Sequence, residues 1–284
     1  MAAQLPDDQI VSILQRAFTA ALKKAQHDRR RLFLELFSGR GGVSSQLIKK
    51  GHGVLSFEIR AGPQFDLLNP RVEKIIIGWI TSGCVAGVWL GTPCSSFSRA
   101  RHGPEGSSWG PIRNASHIWG IPNLSSRDRA KIQLGNACAK FSCRIITLCN
   151  SLGVPALLEN PRTSMLWKVP PLQRLLRAPT CVMNSTDFCQ HGTRWRKRTG
   201  VAGWHVGTIP ILNRRCSGRK GMCSRSGLHH IVLKGTDKAS GLLWTVLAEP
   251  YPPSFAAAAA SALITASDQQ HLGHLLRIGG GISS

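Results

Sequence analysis

The residue best suited to covalent chemistry in this chain is Cys94, which stands between Pro93 and a run of small residues that ends at Ser98. A thiol becomes a strong nucleophile when it loses its proton, and small polar neighbours leave it accessible. A glycine-rich turn at 38–42 precedes this cysteine, and Glu159 follows it at the end of a short apolar segment. A nucleotide-type cofactor turn, an accessible thiol and a strand-end carboxylate, in that order, suggest covalent group transfer to a base.

Apolar segments that alternate with amphipathic ones predict the elements that position these residues. Strands are predicted at 32–37, 54–59, 84–90 and 156–158, and helices at 6–26, 44–50, 126–150 and 254–266. The first strand, the glycine turn, the next helix and the second strand, which closes on Glu58, have the outline of a dinucleotide-type binding half. The last two strands deliver Cys94 and Glu159 to the sheet edge where ligands bind in open α/β sheets. The pattern therefore predicts an α/β fold.

The chain is predicted to contain four segments of different character. They are an N-terminal amphipathic helix with a basic linker at 1–31, a catalytic cofactor-binding α/β domain at 32–187, a small basic lobe at 188–247, and a C-terminal helix with a tail at 248–284 that returns to the catalytic domain. Residues 101–126 are rich in Gly, Ser, Pro and Asn. We expect them to form a long mobile loop that closes over the site as a lid.

The charge of the chain predicts a polyanionic partner. It contains 36 Lys and Arg residues against 14 Asp and Glu, which gives a net charge of +22. Ten of the basic residues fall at 188–236, a segment without any acid, and Trp195 and Trp204 are interleaved with them. Such an excess favours a surface that follows nucleic-acid phosphates, with a merely solvated face as the alternative.

Three features predict a soluble, intracellular protein. The first residues do not resemble a signal peptide, because Asp7 and Asp8 stand where an apolar core would be needed. No apolar run approaches the length of a membrane span, so no membrane partner is expected. The nine cysteines are odd in number and irregularly spaced, which favours free thiols in a reducing compartment.

Some of these cysteines indicate a structural zinc site in the basic lobe. A small lobe without much apolar core gains stability from a bound metal ion. The predicted ligands are Cys216, Cys223 and His229 or His230, with Cys181 or Cys189 as the fourth. Their spacing falls outside the tight Cys-x-x-Cys pattern, and independent thiols with surface histidines are the alternative.

Taken together, the motifs resemble those of the cytosine-5 methyltransferases, which use S-adenosylmethionine to methylate cytosine in DNA. The resemblance runs in the family's order over roughly residues 32–265, so it covers most of the chain. The cofactor-binding residues that it implies are Phe37, Ser38, Gly39, Gly41, Gly42, Glu58, Asp66 and Pro93. Phe37 would lie near the adenine, Glu58 would bind the ribose and Asp66 would meet the adenine amino group. For Asp66, a turn cap is the alternative.

The same resemblance implies four catalytic residues, which are Cys94, Glu159, Arg196 and Arg198. Cys94, with the proline before it, is similar to the family's nucleophile, which attacks carbon 6 of cytosine and forms a covalent intermediate. Glu159 and the following Asn160 resemble the pair that holds the target base, with the acid bonded to ring nitrogen 3. Arg196 and Arg198 lie in a segment of alternating arginines, so either would stabilise the charge that develops.

What the resemblance implies for the whole chain is a Rossmann-like S-adenosylmethionine methyltransferase fold, with residues 188–247 as the target-recognition lobe. The implied partner is double-stranded DNA from which the target cytosine is flipped, and a DNA substrate implies a nuclear location. RNA-directed transfer by the same chemistry is one alternative, because a Pro-Cys nucleophile does not distinguish the two polymers. A catalytically silent nucleic-acid-binding protein that retains the fold is the other.

Overall fold

A six-stranded sheet forms the centre of the protein, in a computed structural model that describes residues 5–27, 32–98 and 110–279. The strands are β1 Leu32–Leu36, β2 Gly53–Phe57, β3 Val85–Leu90, β4 Ala156–Pro161, β5 Cys181–Asp187 and β6 Arg198–Trp204. They lie in the order β2-β1-β3-β4-β6-β5. Strands β1 to β4 pair in parallel, and β6 is antiparallel to both β4 and β5.

The strand order reverses at β1, and this reversal determines where a ligand can bind. Strand β1 has β2 on one side and β3 on the other. At such a reversal the chain connections diverge, so a crevice opens outside the carboxyl ends of the strands. The predicted α/β fold with a Rossmann-like cofactor half is confirmed.

Helices cover both faces of the sheet. They are α1 Asp7–His27, α2 Gly42–Lys49, α3 Pro70–Thr81, α4 Ser126–Leu152, α5 Pro170–Leu176, α6 Trp244–Leu247 and α7 Pro253–Gly279. One core contains buried side chains of α1, α3, α4 and α5, and the other contains those of α2 and α7. Neighbouring strand residues point to opposite faces, so Phe33 belongs to the second core while Leu34 belongs to the first. Within the described ranges, no helix combines the length and the apolar character that crossing a membrane requires.

The alanines of α7 let this helix pack closely against the sheet. The most deeply buried are Ala256, Ala259 and Ala260. Small side chains shorten the distance between a helix and the strands beneath it. The packing brings Tyr251, two residues before α7, against Trp89 of β3, with 5.5 Å between the ring centroids.

The strands and helices predicted between 32 and 160 are all present, and the sequence pattern missed one further helix there. That helix is α3, which begins at Pro70 and is capped by the side chain of Asn69. Its Trp79 stacks on Phe18 of α1, with ring centroids 4.5 Å apart. The helix is therefore fixed by a tertiary contact as well as by its local start signals.

The predicted boundary at residue 187 between the catalytic domain and the basic lobe does not match the sheet. Strand β6 lies beyond that boundary, yet it pairs with β4 and β5 inside the sheet. All its residues after Arg198 are buried, because a strand between two neighbours in a covered sheet has little exposed surface. The part of the lobe outside the sheet is 205–247.

Three predicted features fall partly outside the described residues. They are the basic linker, at 28–31, the predicted lid loop, at 101–109, and the C-terminal tail, at 280–284. The rest of that loop, 110–125, is fixed to its neighbours by the buried side chain of Arg113, which bonds to Ser96 and Asn136.

Candidate active site

A cavity of about 680 Å³ opens at the carboxyl ends of β1 to β4. This volume is within the usual range for sites that bind small molecules. The predicted residues that line it are Phe37, Ser38, Gly39, Gly42, Glu58, Asp66, Pro93, Cys94 and Glu159. Gly41 lies in the same turn but does not form part of the wall. The structure thus brings the cofactor turn, the thiol and the carboxyl group to one cavity.

The turn between β1 and α2 is shaped by two glycines and a buried acid. Gly39 and Gly41 have φ angles of 56° and 65°, in the left-handed region that favours glycine. The carboxyl group of Glu35, which is fully buried, accepts the N–H groups of Val43 at 3.3 Å and Ser44 at 2.6 Å. These groups belong to the first turn of α2, so Glu35 replaces a capping side chain. The backbone of the turn is thereby fixed at the cavity edge.

Glu58, which directly follows β2, joins the glycine turn to Arg60, another residue that lines the cavity. One oxygen accepts the N–H of Gly39 at 2.9 Å, and the other accepts Nε of Arg60 at 3.0 Å. Arg60 also donates to Glu249 at 3.1 Å. Oε1 also accepts the backbone N–H of Arg60 at 3.2 Å, so Oε2 is the oxygen of Glu58 that can still accept a hydroxyl group of a ligand.

Aromatic side chains form an apolar slot next to this acid. Phe37, Phe57 and Phe65 line the cavity, and the last two make an edge-to-face contact with ring centroids 5.9 Å apart. Asp66 lies at the rim of the slot, where its side chain accepts the N–H of Leu68 at 2.9 Å. Asp66 therefore caps a turn and also faces the cavity. Such a slot suits the flat face of a purine and its amino group.

Cys94 follows β3 in a turn that is fixed from both sides. Its carbonyl oxygen accepts the N–H groups of Phe97 at 2.9 Å and Ser98 at 2.8 Å. From β4, the side chain of Asn160 donates to the carbonyl oxygen of Thr92 at 2.7 Å. The Cys94 side chain is half-buried in the cavity wall. The predicted nucleophile is accessible, and Asn160 positions its loop.

Arg113 is a second residue that fixes this turn, and sequence reasoning missed it. The side chain is 5% exposed, and its guanidinium lies 3.8 Å from the centre of the Phe97 ring. It donates to the carbonyl oxygens of Ser96 at 3.0 Å and Ile118 at 2.7 Å, and to the side chain of Asn136 at 2.7 Å. Burial lowers the pKa of Arg113 to about 10. The sequence signal was a single charge in an otherwise uncharged stretch.

We expect Arg113→Ala to lower the free energy of unfolding by about 3 kcal/mol, because it leaves several buried oxygens without a donor. Urea unfolding measures the change. Arg127→Ala, at an exposed position near the start of α4, is the matched control and should cost less than about 0.5 kcal/mol. Equal and small effects of the two substitutions would contradict the role given to Arg113.

Glu159, on β4, is almost fully buried at the cavity. The Tyr251 hydroxyl donates to its Oε2 at 2.9 Å, while its Oε1 has no hydrogen-bond partner among the described residues. Burial raises the pKa of Glu159, and the charge of Lys197 and the Tyr251 hydrogen bond partly oppose that rise. A buried carboxyl group with one unpaired oxygen can bond to a polar ligand, and it can donate a proton when it is neutral.

The hydrogen bond from Tyr251 depends on Gly91, which directly follows β3. A Cβ at Gly91 would lie 2.8 Å from the carbonyl oxygen of Phe37 and 2.8 Å from the Tyr251 hydroxyl. Only a residue without a side chain leaves room for both. Sequence reasoning did not pair Tyr251 with Glu159, because 92 positions separate the two residues in the chain.

Lys197 lines the cavity, in the position predicted for Arg196 or Arg198. Arg196 donates to Asp187 at 3.1 Å and to the carbonyl oxygen of Cys216 at 2.6 Å. Arg198 lies 3.8 Å from the other oxygen of Asp187. Alternate residues of an extended chain point to opposite sides, so both arginines face Asp187 while Lys197 points the other way. The prediction for the two arginines is corrected accordingly.

A cluster of three cysteines and a histidine lies outside this cavity. The ligand atoms of Cys189, Cys216, Cys223 and His230 all lie within 4.8 Å of one another. Of the predicted alternatives, the structure selects His230 over His229 and Cys189 over Cys181. His229 is exposed and pairs with Met222, and Cys181 lies in β5 opposite Trp204.

Three solved structures are similar to this chain over part of their length. The Dnmt2 methyltransferase of S. pombe is 15% identical, with a TM-score of 0.36, over 61% of this chain and 50% of that chain. The methyltransferase EhMeth of Entamoeba histolytica is 14% identical, with a TM-score of 0.36, over 62% and 53%. A mutant of the DNMT2 of Spodoptera frugiperda is 14% identical, with a TM-score of 0.33, over 61% and 50%.

This chain therefore spans about half the length of these solved structures. No protein-family model and no curated protein matches it. The function proposed for this chain therefore depends on the residues of its own cavity.

Lys197 makes the Cys94 thiol easier to ionise. Burial raises the pKa of Cys94, the charge of Glu159 raises it further, and Lys197 lowers it. We expect Lys197→Gln to raise the pKa of Cys94, and so to slow its alkylation by iodoacetamide severalfold at neutral pH. Mass spectrometry of the Cys94 peptide over a pH series measures the rate.

The control for this substitution is Lys74→Gln, which removes an exposed lysine of α3 without changing the cavity. It should leave the pH dependence of Cys94 labelling unchanged. The same labelling curve for wild type and Lys197→Gln would show that Lys197 does not act on the thiol.

Proposed function

We propose that this protein transfers a methyl group from S-adenosylmethionine to carbon 5 of cytosine in DNA. The observation that carries the proposal is the common cavity of Cys94 and Glu159, which also includes the glycine turn after β1. A half-buried thiol beside a buried carboxyl group, one oxygen of which has no partner in the described parts of the chain, provides a nucleophile and an acid for a single small ring. The resemblance of the motifs supports cytosine as that ring.

The residues around the cavity fit the proposed cofactor. The slot of Phe37, Phe57 and Phe65 suits the adenine, and Oε2 of Glu58 has a lone pair available for a ribose hydroxyl. The glycine turn lets the backbone approach the methionine part. S-adenosylmethionine supplies a methyl group on a positively charged sulfur, which makes that group an electrophile.

Cys94 and Glu159 have complementary roles in the proposed reaction. Carbon 5 of cytosine is a poor nucleophile, so the Cys94 thiolate first forms a bond to carbon 6, and the double bond between carbons 5 and 6 breaks. Glu159 donates a proton to ring nitrogen 3 and so removes the negative charge that the ring would carry. After carbon 5 has taken the methyl group, it loses its proton to solvent, the double bond between carbons 5 and 6 re-forms as Cys94 leaves as the thiolate, and ring nitrogen 3 returns its proton to Glu159.

Lys197 and Asn160 support these steps. The lysine charge favours the thiolate of Cys94, and it lies at the same cavity as the acid. The Asn160 side chain holds the carbonyl oxygen of Thr92, so the nucleophile's loop keeps its position when the thiol moves from the free to the bonded state. We assign Oε1 of Glu159, which no described residue contacts by a hydrogen bond, to the base.

The proposed nucleic-acid partner is consistent with the charge of the chain. A net charge of +22 attracts a polyanion, and the basic residues at 188–236 include no acid that would repel phosphates. A cytosine in a duplex is out of reach of a cavity wall, so the proposal requires the base to be flipped out. With DNA as the substrate, we expect a nuclear protein.

Transfer of labelled methyl groups tests the proposal. The protein is incubated with methyl-labelled S-adenosylmethionine and either a DNA duplex, an RNA of the same sequence or a tRNA, and the products are digested to nucleosides. We expect label in 5-methyldeoxycytidine. A duplex in which every cytosine already carries a 5-methyl group is the matched control and should take no label.

Two other outcomes would replace the proposal. Label in RNA alone would show that the same chemistry acts on RNA instead of DNA. Nucleic-acid binding without transfer to any substrate would identify a catalytically silent binding protein.

A further inference from the structure

Residues 213–247, which make up most of the basic lobe outside the sheet, have almost no apolar core. The structure describes every residue of 213–247, and the only buried ones are Cys216 and Cys223. The one helix in this range is α6, which has four residues. Two buried side chains remove too little apolar surface from water to stabilise a segment of this length. Small folded units of this kind usually depend on a disulfide or a metal.

The two buried cysteines meet two further groups from other parts of the chain. The four ligand atoms of Cys189, Cys216, Cys223 and His230 lie within 4.8 Å of one another. The Sγ of Cys216 is 3.7 Å from Nε2 of His230. Zinc bonds of about 2.3 Å to sulfur and about 2.0 Å to nitrogen, at tetrahedral angles, place neighbouring ligands about 3.5–3.8 Å apart. The observed separation fits that geometry.

A tight hairpin brings two of these ligands together. The N–H of Cys223 bonds to the carbonyl oxygen of Leu228 at 2.8 Å, and the N–H of His230 bonds to that of Gly221 at 2.8 Å. This pairing turns His230 towards Cys223 and leaves the neighbouring His229 exposed. The register of the hairpin therefore determines which histidine joins the cluster.

Hydrogen-bond donors surround the sulfur atoms. The backbone N–H of Ser224 donates to Sγ of Cys216 at 3.3 Å, and the side chain of Gln190 donates to Sγ of Cys189 at 3.5 Å. Donors of this kind stabilise thiolates and orient them for a metal. None of the described carboxylates belongs to the cluster, and three sulfurs with one imidazole are a ligand set that zinc prefers.

We propose that Cys189, Cys216, Cys223 and His230 bind one Zn²⁺ ion, which folds the basic hairpin (residues 214–234) and fixes its cations as a phosphate-binding surface. Four protein ligands leave no open position, so the ion is structural and takes no part in chemistry. The cations that we assign to phosphates are Arg219, Lys220 and Arg225, which are exposed on the two turns of the hairpin. This second part of the inference depends on the proposed function, and the metal site does not.

The same ligand cluster is attached to the wall of the active-site cavity. The N–H of Cys216 donates to Asp187 at 2.8 Å, and its carbonyl oxygen accepts from Arg196 at 2.6 Å. Arg196 also bonds to Asp187 and directly precedes Lys197, which lines the cavity. The ion would therefore hold the basic hairpin in a fixed position relative to the base that is flipped into the cavity.

Metal content tests the site directly. Wild-type protein is saturated with zinc, dialysed and analysed by mass spectrometry for the number of ions per chain, and then reloaded with Co²⁺ for its thiolate absorption bands. We expect one zinc ion per chain and a tetrahedral cobalt spectrum. Wild-type protein that retains no zinc, or that gives no thiolate-to-cobalt band, would overturn the proposal without any variant.

Two variants and two matched controls assign the ligands. Cys223→Ser and His230→Ala should lose most of the bound zinc. His229→Ala, one position away on the same hairpin, and Cys181→Ser should keep it. Full zinc in His230→Ala, or loss of zinc in His229→Ala, would show that the assigned ligand set is wrong.

Nucleic-acid affinity tests the role of the ion. Removing zinc with a chelator should weaken DNA binding about tenfold or more and lower the slope of log K against log salt by about 2–3, because three phosphate contacts are lost. Adding zinc back should restore both. Unchanged affinity would contradict the phosphate-binding role of the hairpin. Because metal content is measured without any methyl transfer, failure of the transfer assay would leave the zinc result intact.

Discussion

Cys94→Ser is expected to lower the rate of methyl transfer by a factor on the order of 10⁴, because an alcohol at this position replaces a thiolate as the nucleophile. The substitution exchanges one atom in a half-buried side chain. The turn around it is held by backbone hydrogen bonds to the Cys94 carbonyl oxygen, and those bonds do not involve the sulfur. Folding, cofactor binding and DNA binding should therefore remain close to wild type.

The matched control is Cys84→Ser. Cys84 directly precedes β3, at the opposite end from Cys94, and is similarly half-buried. Its replacement should leave transfer unchanged. Methyl transfer by Cys94→Ser at the wild-type rate would exclude a covalent role for the thiol, even if the fold and the cofactor were correct.

Glu159→Gln is expected to lower transfer by a factor of about 10² to 10³, because an amide cannot give a proton to ring nitrogen 3. Glutamine has nearly the same shape and can still accept the hydrogen bond from Tyr251. The loss should therefore appear in kcat, with little change in the affinity for the cofactor. Glu73→Gln, which removes a carboxylate on α3 from its ion pair with Arg144, is the control for a change of charge alone.

The pH dependence separates the acid from a merely structural residue. Burial raises the pKa of Glu159, so its carboxyl group keeps a proton to a higher pH than an exposed glutamate does. Because the reaction needs both the Cys94 thiolate and the protonated Glu159, the rate should first rise and then fall as the pH increases. In Glu159→Gln the falling limb should disappear, since an amide does not titrate. A falling limb that is retained in this variant would assign it to another group.

The sequence was sufficient to predict the elements that carry the site but not the contacts between distant segments. Cys94 and Glu159 each follow or end a buried strand, and parallel strands bring such residues to one edge of a sheet. Arg113 and Tyr251 could not be found in the same way. Each acts on a loop or an acid that is far away in the chain, and neither stands in a motif with a fixed spacing.

In two cases the sequence analysis named a residue directly next to the one that the structure places at the site. The register of the chain, which decides the face to which each side chain points, explains both. Lys197 lies between two arginines, and only the direction of the chain entering β6 determines which of the three faces the cavity. His229 and His230 are adjacent, and the pairing of the hairpin turns the second one towards the cysteines. A shift of one residue moves a side chain to the opposite face, and the sequence pattern does not fix a register so finely.

Strand β6 was assigned to the basic lobe for a different reason. Basic residues precede it, while its own sequence, from Thr199 to Trp204, is dominated by small residues. Its place between β4 and β5 depends on tertiary pairing rather than on local propensity.

The central claim, a covalent bond between Cys94 and the target base, is tested most directly with DNA that contains 5-fluorocytosine. Fluorine at carbon 5 cannot leave as a proton does, so the thiol stays attached to carbon 6 after the methyl group has been transferred. We predict an adduct that survives denaturation, that requires S-adenosylmethionine, and that mass spectrometry maps to the Cys94 peptide. An active preparation that forms no adduct, or that forms one on a different residue, would contradict the account.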